Sequence, residues 1–144
     1  MKKLLVVTLF FTLLVGFTTV TSAASWRIIQ RANHDLTDRY FDMLSFRKTS
    51  PQSYTVQIRT DYDKSRGQAE SNKLGFKYPV GRVINKMEFN FSSQQYRILS
   101  ANYFDEGGAL LSSSNAAGTW NSNSASPYDR IFNDTYKHYK NHYQ

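Results

Sequence analysis

The amino-acid sequence predicts an α+β fold in which a mostly antiparallel β-sheet is followed by a C-terminal α-helix. Between residues 25 and 112, most segments alternate apolar and polar residues, and polar or glycine-containing turns separate them. From Tyr128 onwards, large apolar residues recur at helical spacing instead. The first pattern is typical of strands with one buried face, and the second of a helix that lies across a sheet.

Three strands are predicted before residue 63. Residues 25–31 form the first, with Trp26, Ile28 and Ile29 expected to face the core, and residues 39–42 form a short second strand. Residues 54–62 alternate most regularly, which predicts a sheet covered on one side only. In this third strand, one face carries Tyr54, Val56, Ile58 and Tyr62, and the other carries Gln57, Arg59 and Asp61.

The polar stretch at residues 63–82 predicts a long, mobile loop. Strand-like alternation resumes at residues 83–91, where Asn85 shares the apolar side and therefore needs a polar partner in the core. Residues 96–104 follow closely enough to form a hairpin with that strand. The next turn and the return strand occupy Glu106-Gly107-Gly108 and residues 109–112.

The last part of the chain predicts a loop and then the helix. Residues 113–125 are small and polar around one large side chain, so we expect the indole of Trp120 to pin this loop. Ser126 is the expected N-cap, with Pro127 at the first helical position and Asp129 near the positive end of the helix dipole. The predicted aromatic stripe consists of Tyr128, Ile131 or Phe132, Thr135 or Tyr136, Tyr139 and Tyr143.

Residues 1–23 are a predicted signal peptide. Two lysines precede an uncharged apolar core of roughly 15 residues, and small residues occupy the cleavage site. A membrane anchor fits less well, because a spanning helix needs roughly 20 apolar residues. The sequence therefore predicts one exported domain at residues 24–144, located in the periplasm or secreted.

Composition narrows the classes of partner and chemistry. The chain has 18 Lys and Arg against 11 Asp and Glu, a formal net charge of +7, which favours anionic partners such as lipid headgroups, acidic polysaccharides or acidic protein patches. It contains no cysteine, which excludes disulfides, thiolate metal sites and a cysteine nucleophile. For the same reason we expect no lipid anchor and a soluble mature chain.

No set of residues indicates catalysis, a metal or a cofactor. His138 and His142 are four positions apart on the predicted helix, but no carboxylate completes an H-E-x-x-H arrangement. This predicts a chance surface pair, with adventitious divalent metal binding as the alternative. The carboxylates Asp61, Asp63 and Asp105 lie at strand ends, where Asp commonly caps turns. We therefore predict no catalytic residues, no metal and no cofactor.

Basic and aromatic residues are interleaved between residues 54 and 97. The pattern resembles a stacking platform for single-stranded nucleic acid, which an exported protein rarely meets. The remaining interpretations are a solvated basic face or a contact face for a protein or glycan partner. Contact hot spots favour arginine and aromatic residues. The candidate partner-binding residues are Lys73, Phe76, Lys77, Tyr78 and Arg82.

Several short motifs resemble, in their shared order, the surface-adhesin protein E family. The resemblance covers nearly the whole of residues 24–144. The motifs are Tyr40-Phe41-Asp42, residues 56–62, Glu88-Phe89-Asn90-Phe91, residues 96–100, residues 103–108, Trp120 and Ser126-Pro127.

This resemblance implies a compact antiparallel sheet of about six strands with the C-terminal helix packed on one face, in a bacterial envelope protein. It also implies adhesion to host epithelium and capture of matrix and serum proteins such as vitronectin, laminin and plasminogen. The family typically has a cysteine where Phe91 stands, paired with another near the end of the helix. Here we expect aromatic packing in its place. The adhesin after which the family is named also resembles lipoproteins, because it has an N-terminal cysteine. This chain lacks that cysteine.

Two functional hypotheses follow. The first is an exported, non-enzymatic binding module for host matrix or serum proteins, or for an envelope protein, that acts through a sheet edge and the basic segment at residues 64–82. The second is a soluble periplasmic accessory protein, such as a stress-related factor or an inhibitor of an envelope enzyme, with no host partner. Homodimer formation through a sheet edge is left open.

Overall fold

The computed structural model describes residues 23–29, 37–124 and 127–144. Within them the chain forms one sheet and two helices, which confirms the predicted α+β class. The strands are β1 (Trp26–Ile28), β2 (Asp38–Asp42), β3 (Arg47–Ser50), β4 (Ser53–Asp61), β5 (Val80–Asn90), β6 (Gln95–Asp105), β7 (Leu110–Ser114) and β8 (Asn121–Ser122). The helices are α1 (Lys64–Leu74) and α2 (Tyr128–Tyr143).

The described part of the sheet contains eight strands, and every pairing is antiparallel. Six strands set its width, in the order β1-β2-β4-β5-β6-β7. The short strand β3 pairs with the first residues of β4, next to the stretch that pairs with β2. Likewise β8 pairs with the start of β6, next to the stretch that pairs with β7. The prediction of about six strands was correct for the six strands that set the width of the sheet. It did not include β3 and β8.

The hydrophobic core lies between one face of the sheet and α2. Tyr54, Val56 and Ile58 of β4 face it, as their alternation predicts, and all three are at most 1% exposed. The register sets Phe89 beside Tyr54 and Met87 beside Val56. The helix closes the core with one apolar side, as its spacing predicts. The buried residues of α2 are Ile131, Phe132, Thr135 and Tyr139.

Tyr54 joins the sheet to α2 through both its ring and its hydroxyl. The ring stacks on Tyr139 with centroids 4.6 Å apart and lies 5.6 Å from Phe89. Its hydroxyl is 2.9 Å from Oγ1 of Thr135, which itself donates to the carbonyl oxygen of Ile131. Burial raises the pKa of the Tyr54 hydroxyl, so it remains a neutral hydrogen-bonding group.

Aromatic packing surrounds Phe91, the position at which the resemblance implied a disulfide cysteine. The ring of Phe91 stacks on Tyr136 with centroids 5.2 Å apart, and lies tilted 6.5 Å from Tyr139. The aromatic packing expected at Phe91 is therefore confirmed. These contacts tie the end of β5 to α2 without a covalent bond.

The predicted loop at residues 63–82 was wrong, because residues 64–74 form α1. Asp63 is its N-cap, with a side chain that accepts a hydrogen bond from the backbone N–H of Arg66. Gly75 ends the helix in the left-handed region at φ 75°. No apolar stripe marks α1, because its buried residues are Gly67 and Ser71. Hydrophobic periodicity therefore could not reveal it.

Small residues let α1 lie directly against the backbone of β5. A Cβ atom at Gly67 would fall 2.0 Å from the carbonyl oxygen of Val80. One turn further along, Oγ of Ser71 lies within hydrogen-bond distance of two carbonyl oxygens, 3.0 Å from that of Phe76 and 2.6 Å from that of Tyr78. The helix and the segment that follows it are thus fixed by close backbone contact and hydrogen bonds.

The inward face predicted for the first strand was partly wrong. Ile29 is buried, but Ile28 is 53% exposed and Trp26 is only half-buried. The pairing with β2 explains this, because Ile28 lies opposite Tyr40. Phe41, the next residue of β2, is the one that faces the core. Trp26 and Ile28 therefore lie on the other side of the sheet.

Asn85 lies on the apolar side of β5, as predicted, between Ile58 of β4 and Ala101 of β6. Its Oδ1 is buried and has no hydrogen-bond partner within the described part of the chain. The polar partner predicted for this side chain is thus not found there.

Helix α2 begins one residue later than predicted. Pro127 occupies the N-cap position and Tyr128 is the first helical residue. Ser126, the expected N-cap, lies outside the described residues. Asp129 is in the first turn, where its negative charge interacts favourably with the positive end of the helix dipole. Among the described residues, no helix is both long enough and apolar enough to cross a membrane.

Replacing Gly67 with alanine should lower the free energy of unfolding by about 2 kcal/mol, because the added methyl group overlaps the backbone of Val80. Helix propensity alone predicts the opposite, a gain of about 1 kcal/mol. Urea unfolding of the purified protein measures the difference. Ala69→Ser, on the exposed side of α1, is the control and should change stability by less than about 0.5 kcal/mol. A more stable Gly67→Ala variant would contradict this close packing.

The buried hydroxyl pair predicts an asymmetric cost of substitution. Tyr54→Phe should cost about 1 kcal/mol, because Thr135 keeps its bond to the carbonyl of Ile131. Thr135→Val preserves shape but leaves the Tyr54 hydroxyl buried without its partner, which should cost about 1–3 kcal/mol. Chemical denaturation of both variants tests this order. Equal stability of the two variants would show that the hydroxyl of Tyr54 has another partner.

Candidate functional site

Both helices lie on the same face of the sheet. Helix α2 packs on Tyr54, as described above. Next to α1, Phe76 makes an edge contact with Tyr103 at 5.4 Å between centroids. Tyr103 pairs with Val83, a core residue of β5, so its side chain is also on the side of α2. No described helix covers the opposite side, which we call the open face.

Arginine and aromatic side chains characterise the open face. The strand register assigns these residues to it, because they alternate with the core residues along each strand. Its members on the central and edge strands are Trp26, Tyr40, Arg59, Asp61, Arg82, Ile84, Lys86, Glu88 and Arg97.

The first cluster on the open face is centred on Arg59. Its guanidinium binds the carboxylate of Asp61 through Nε and an Nη atom. The same group lies over the ring of Tyr40 at 5.0 Å and near Trp26 at 5.9 Å. Arg82, on the neighbouring strand, donates from Nε to Asp61 at 2.9 Å. One carboxylate thus holds two arginines, and the three groups together carry a positive charge.

The electrostatics of this cluster favour the ionised forms of Asp61 and Arg59. Burial raises the pKa of Asp61, but hydrogen bonds and charge interactions with Arg59 and Arg82 outweigh it, so the pKa lies below its ordinary value. The hydrogen bond to Asp61 raises the pKa of Arg59 in turn. The cluster is therefore a permanent ion network over the ordinary range of pH.

A second cluster lies further along the sheet, around Arg97. Its guanidinium pairs with Glu88 at 2.7 Å, and Thr49 of β3 donates to the other carboxylate oxygen of Glu88. The ring of Trp120 lies 4.7 Å from the guanidinium carbon of Arg97. This indole is 37% exposed, so it covers the arginine from the outside.

Trp120 was expected to hold its loop in place, but it is not the only group that does so. Backbone hydrogen bonds hold the same segment to β6: Gly118 donates to the carbonyl of Ile98 at 2.7 Å, and Asn123 donates to that of Gln94 at 3.1 Å. The indole contributes a surface contact in addition.

A family model described as Surface-adhesin protein E matches residues 26–133. This chain belongs to the surface-adhesin protein E family. The matched residues include all eight described strands and both arginine clusters. The match confirms the resemblance that the sequence motifs indicated. No curated protein and no solved structure matches the chain significantly.

The structure separates the five contact residues that the sequence suggested for this member of the adhesin family. Lys73 is exposed in the last turn of α1. Beyond it, Phe76 packs on Tyr103, while Lys77 lies 5.3 Å from the ring of the exposed Tyr78. These four residues surround the end of α1. The fifth, Arg82, belongs to the open face and is bound by Asp61.

Sequence reasoning assigned Arg59 and Asp61 to one face but did not recognise that face as a site. Trp26 was expected in the core, and Arg82 in a loop. A local signal exists for the first pair, because residues two apart on a strand share a face. No local signal shows that Arg82 and Trp26 reach them, because that depends on the register of separate strands.

The acidic residues considered for chemistry have structural partners. Asp63 caps α1, and Oδ1 of Asp105 accepts from the backbone of Ala109 at 2.8 Å, which confirms the predicted capping roles of these two residues. The same prediction was wrong for Asp61, because its carboxylate binds Arg59 and Arg82 instead. The rings of His138 and His142 are 4.5 Å apart. Across the described ranges, no group of three or more His, Cys, Asp or Glu could hold a metal ion.

Asp61→Asn should destabilise the protein by about 1–2 kcal/mol at pH 7, because it weakens charge-assisted bonds to two arginines at a half-exposed site. Since the pKa of Asp61 is lowered on folding, its contribution is present above the ordinary pKa of 3.8 and is lost as pH falls through the lower folded value. Urea unfolding at pH 7, 5 and 3 should therefore show the two proteins converging at the most acidic pH.

The matched control for this experiment is Glu106→Gln, which removes a carboxylate from an exposed turn. It should shift stability by less than about 0.5 kcal/mol at each pH. If Asp61→Asn were as stable as the unchanged protein at pH 7, the ion network would not contribute to folding.

Proposed function

We propose that this protein is an exported, non-enzymatic binding module that holds a protein partner on its open face. The partner is a host matrix or serum protein, or a protein of the bacterial envelope. The observation that carries this proposal is the placement of both helices on one side, which leaves arginines and aromatic rings on the other. Membership of an adhesin family supports the same class of function.

The composition of the open face favours protein contact. Trp, Tyr and Arg are the residues most enriched at binding hot spots. Here Arg59 and Arg97 are held in place by carboxylates and by rings on the open face. Fixing these long side chains before binding lowers the entropy cost of association. Excess positive charge on the first cluster favours an acidic patch on the partner.

A second contact surface is the segment at the end of α1. Tyr78 is 53% exposed and carries Lys77 beside its ring, while Lys73 projects from the last helical turn. We retain Lys73, Phe76, Lys77 and Tyr78 as proposed contact residues that act separately from the open face. Arg82 then contributes through the open face.

We propose further that residues 1–23 are removed on export, and that the mature chain is soluble in the periplasm or outside the cell. The basic start, apolar core and small residues of this segment support it. A soluble periplasmic accessory role, without a host partner, is the second candidate. The observation that favours this second role is that the sequence contains no cysteine, the residue through which the named adhesin resembles lipoproteins.

Binding to immobilised vitronectin, laminin and plasminogen, and to an envelope extract, tests the proposed contact surface. Replacing Arg82, Lys86 and Trp120 together with alanine should weaken binding about tenfold or more, because two hot-spot side chains are lost. A Lys73, Lys77 and Tyr78 alanine variant tests the end of α1 in the same assay. Lys140→Ala, exposed on α2, is the matched charge control and should bind normally.

Loss of binding in the α1 variant alone would move the contact surface to that segment. Unchanged binding in both variants would overturn both surfaces. Protease treatment of intact cells separates the two functional candidates, because an adhesin must be accessible from outside. Recovery only in osmotic-shock fluid, with binding only to the envelope extract, would favour the accessory role.

A further inference from the structure

A cleft of about 360 Å³ lies between the edge strand β1 and the C-terminal half of α2. Arg27 from β1 lines one side of it, and Lys137, His138 and His142 from α2 line the other. It is separate from the open face, since Arg27 pairs with the core residue Phe41 and so faces the side of α2. No functional role has been given to it above.

Helical spacing brings the basic side chains of α2 together at this cleft. His138 and His142 are four residues apart, and their ring centroids are separated by 4.5 Å. Lys137 and Asn141 form a parallel row one position earlier. With Arg27 opposite, the cleft offers a guanidinium, an ammonium, two imidazoles and an amide as hydrogen-bond donors. Asp134 is the one carboxylate among its described lining residues.

The potential in the cleft is positive. Burial lowers the pKa of His138, and the neighbouring His142 and Arg27 lower it further. The Nδ1 atom of His138 is also buried with no hydrogen-bond partner among the described residues. The unpartnered Nδ1 atom is unfavourable in the free protein, and a bound anion would offset the positive potential of the cleft.

Apolar surface adjoins the basic side chains. The ring of Phe41 lies 5.3 Å from that of His138 and contributes to the lining. Ile28 also borders the cleft, but by its register with Tyr40 its side chain lies on the open face. The cleft therefore offers one region for negative charge and another for a hydrophobic group.

We propose that this cleft binds a small organic phosphate, with the phosphate against Arg27, Lys137 and the two histidines and its apolar substituent against Phe41. A phosphate monoester carries about −1.5 to −2 charge at pH 7 and three strong acceptor oxygens, which suit several converging donors. A divalent metal fits worse, because Arg27 and Lys137 repel it and no third ligand forms a metal group within the described residues.

Phenyl phosphate is the probe, added to the purified exported protein and followed by calorimetry and by NMR of the histidine ring protons. Saturable binding should shift the His138 and His142 resonances. Inorganic phosphate should bind about fivefold or more weakly, because it lacks the apolar group. Phenol should not bind, because it lacks the charge.

Binding of phenyl phosphate should raise the pKa of His138, because the phosphate adds negative charge beside an imidazole whose protonation is opposed in the free protein by burial, His142 and Arg27. Lys137 and Asp134 also line the cleft. Arg27→Gln and His142→Gln alter exposed side chains, so the fold should persist, and each should weaken binding about tenfold. Lys140→Gln, exposed on the same helix, is the control and should leave affinity unchanged.

Three results would overturn the proposal. The first is the absence of saturable binding at phenyl phosphate concentrations up to about 10 mM. A dissociation constant above that concentration is too weak for a specific site. The second is binding that Arg27→Gln and His142→Gln leave intact. The third is micromolar Zn²⁺ binding that His142→Gln abolishes while phosphate has no effect, which would reassign the cleft to a metal. None of these results bears on the open face, so the two proposals fail independently.

Discussion

The contact of Tyr54 with α2 is the interaction on which the rest of the structure depends. Its ring stacks on Tyr139 and its hydroxyl reaches Thr135, so one side chain of the central strand β4 fixes both the position and the rotation of the helix. Aromatic pairs contribute about 0.5–1.5 kcal/mol each beyond the burial of their surface. In a chain without cysteine, stacking of this kind, extended by Phe91 on Tyr136, is what holds the helix to the sheet.

The two proposed binding surfaces follow from that placement. Because α2 covers one side of the sheet and α1 sits on the same side, the charged residues of β4 and β5 remain on the open face. Each arginine there needs a counter-charge, and Asp61 and Glu88 provide it from within the sheet. The other proposed site is the cleft that forms where α2 overhangs β1, and there the cationic side chains outnumber the carboxylate of Asp134.

Sequence patterns predicted the strands well and α1 not at all. The alternation from Val56 to Asp61 gave the correct buried face because this part of β4 buries one side only, the condition under which period two is informative. The first residues of β4, 53–55, are buried on both sides. Helix α1 buries Gly67 and Ser71, so it has no apolar period to detect. The residues that begin and end the helix, Asp63 and Gly75, are nevertheless visible in the sequence. The polar composition of the stretch around them predicted a loop instead.

The sequence by itself determined six of the eight described strands, which faces of β4 and β5 are apolar, and the aromatic stripe of α2. These are properties of residues close together in the chain. Only the tertiary structure decided that both helices share one face, that Arg82 meets Arg59 at Asp61, and that Arg27 faces His138. The reason is that strand pairing and register bring distant segments together, and no local spacing specifies which side chains then lie opposite one another.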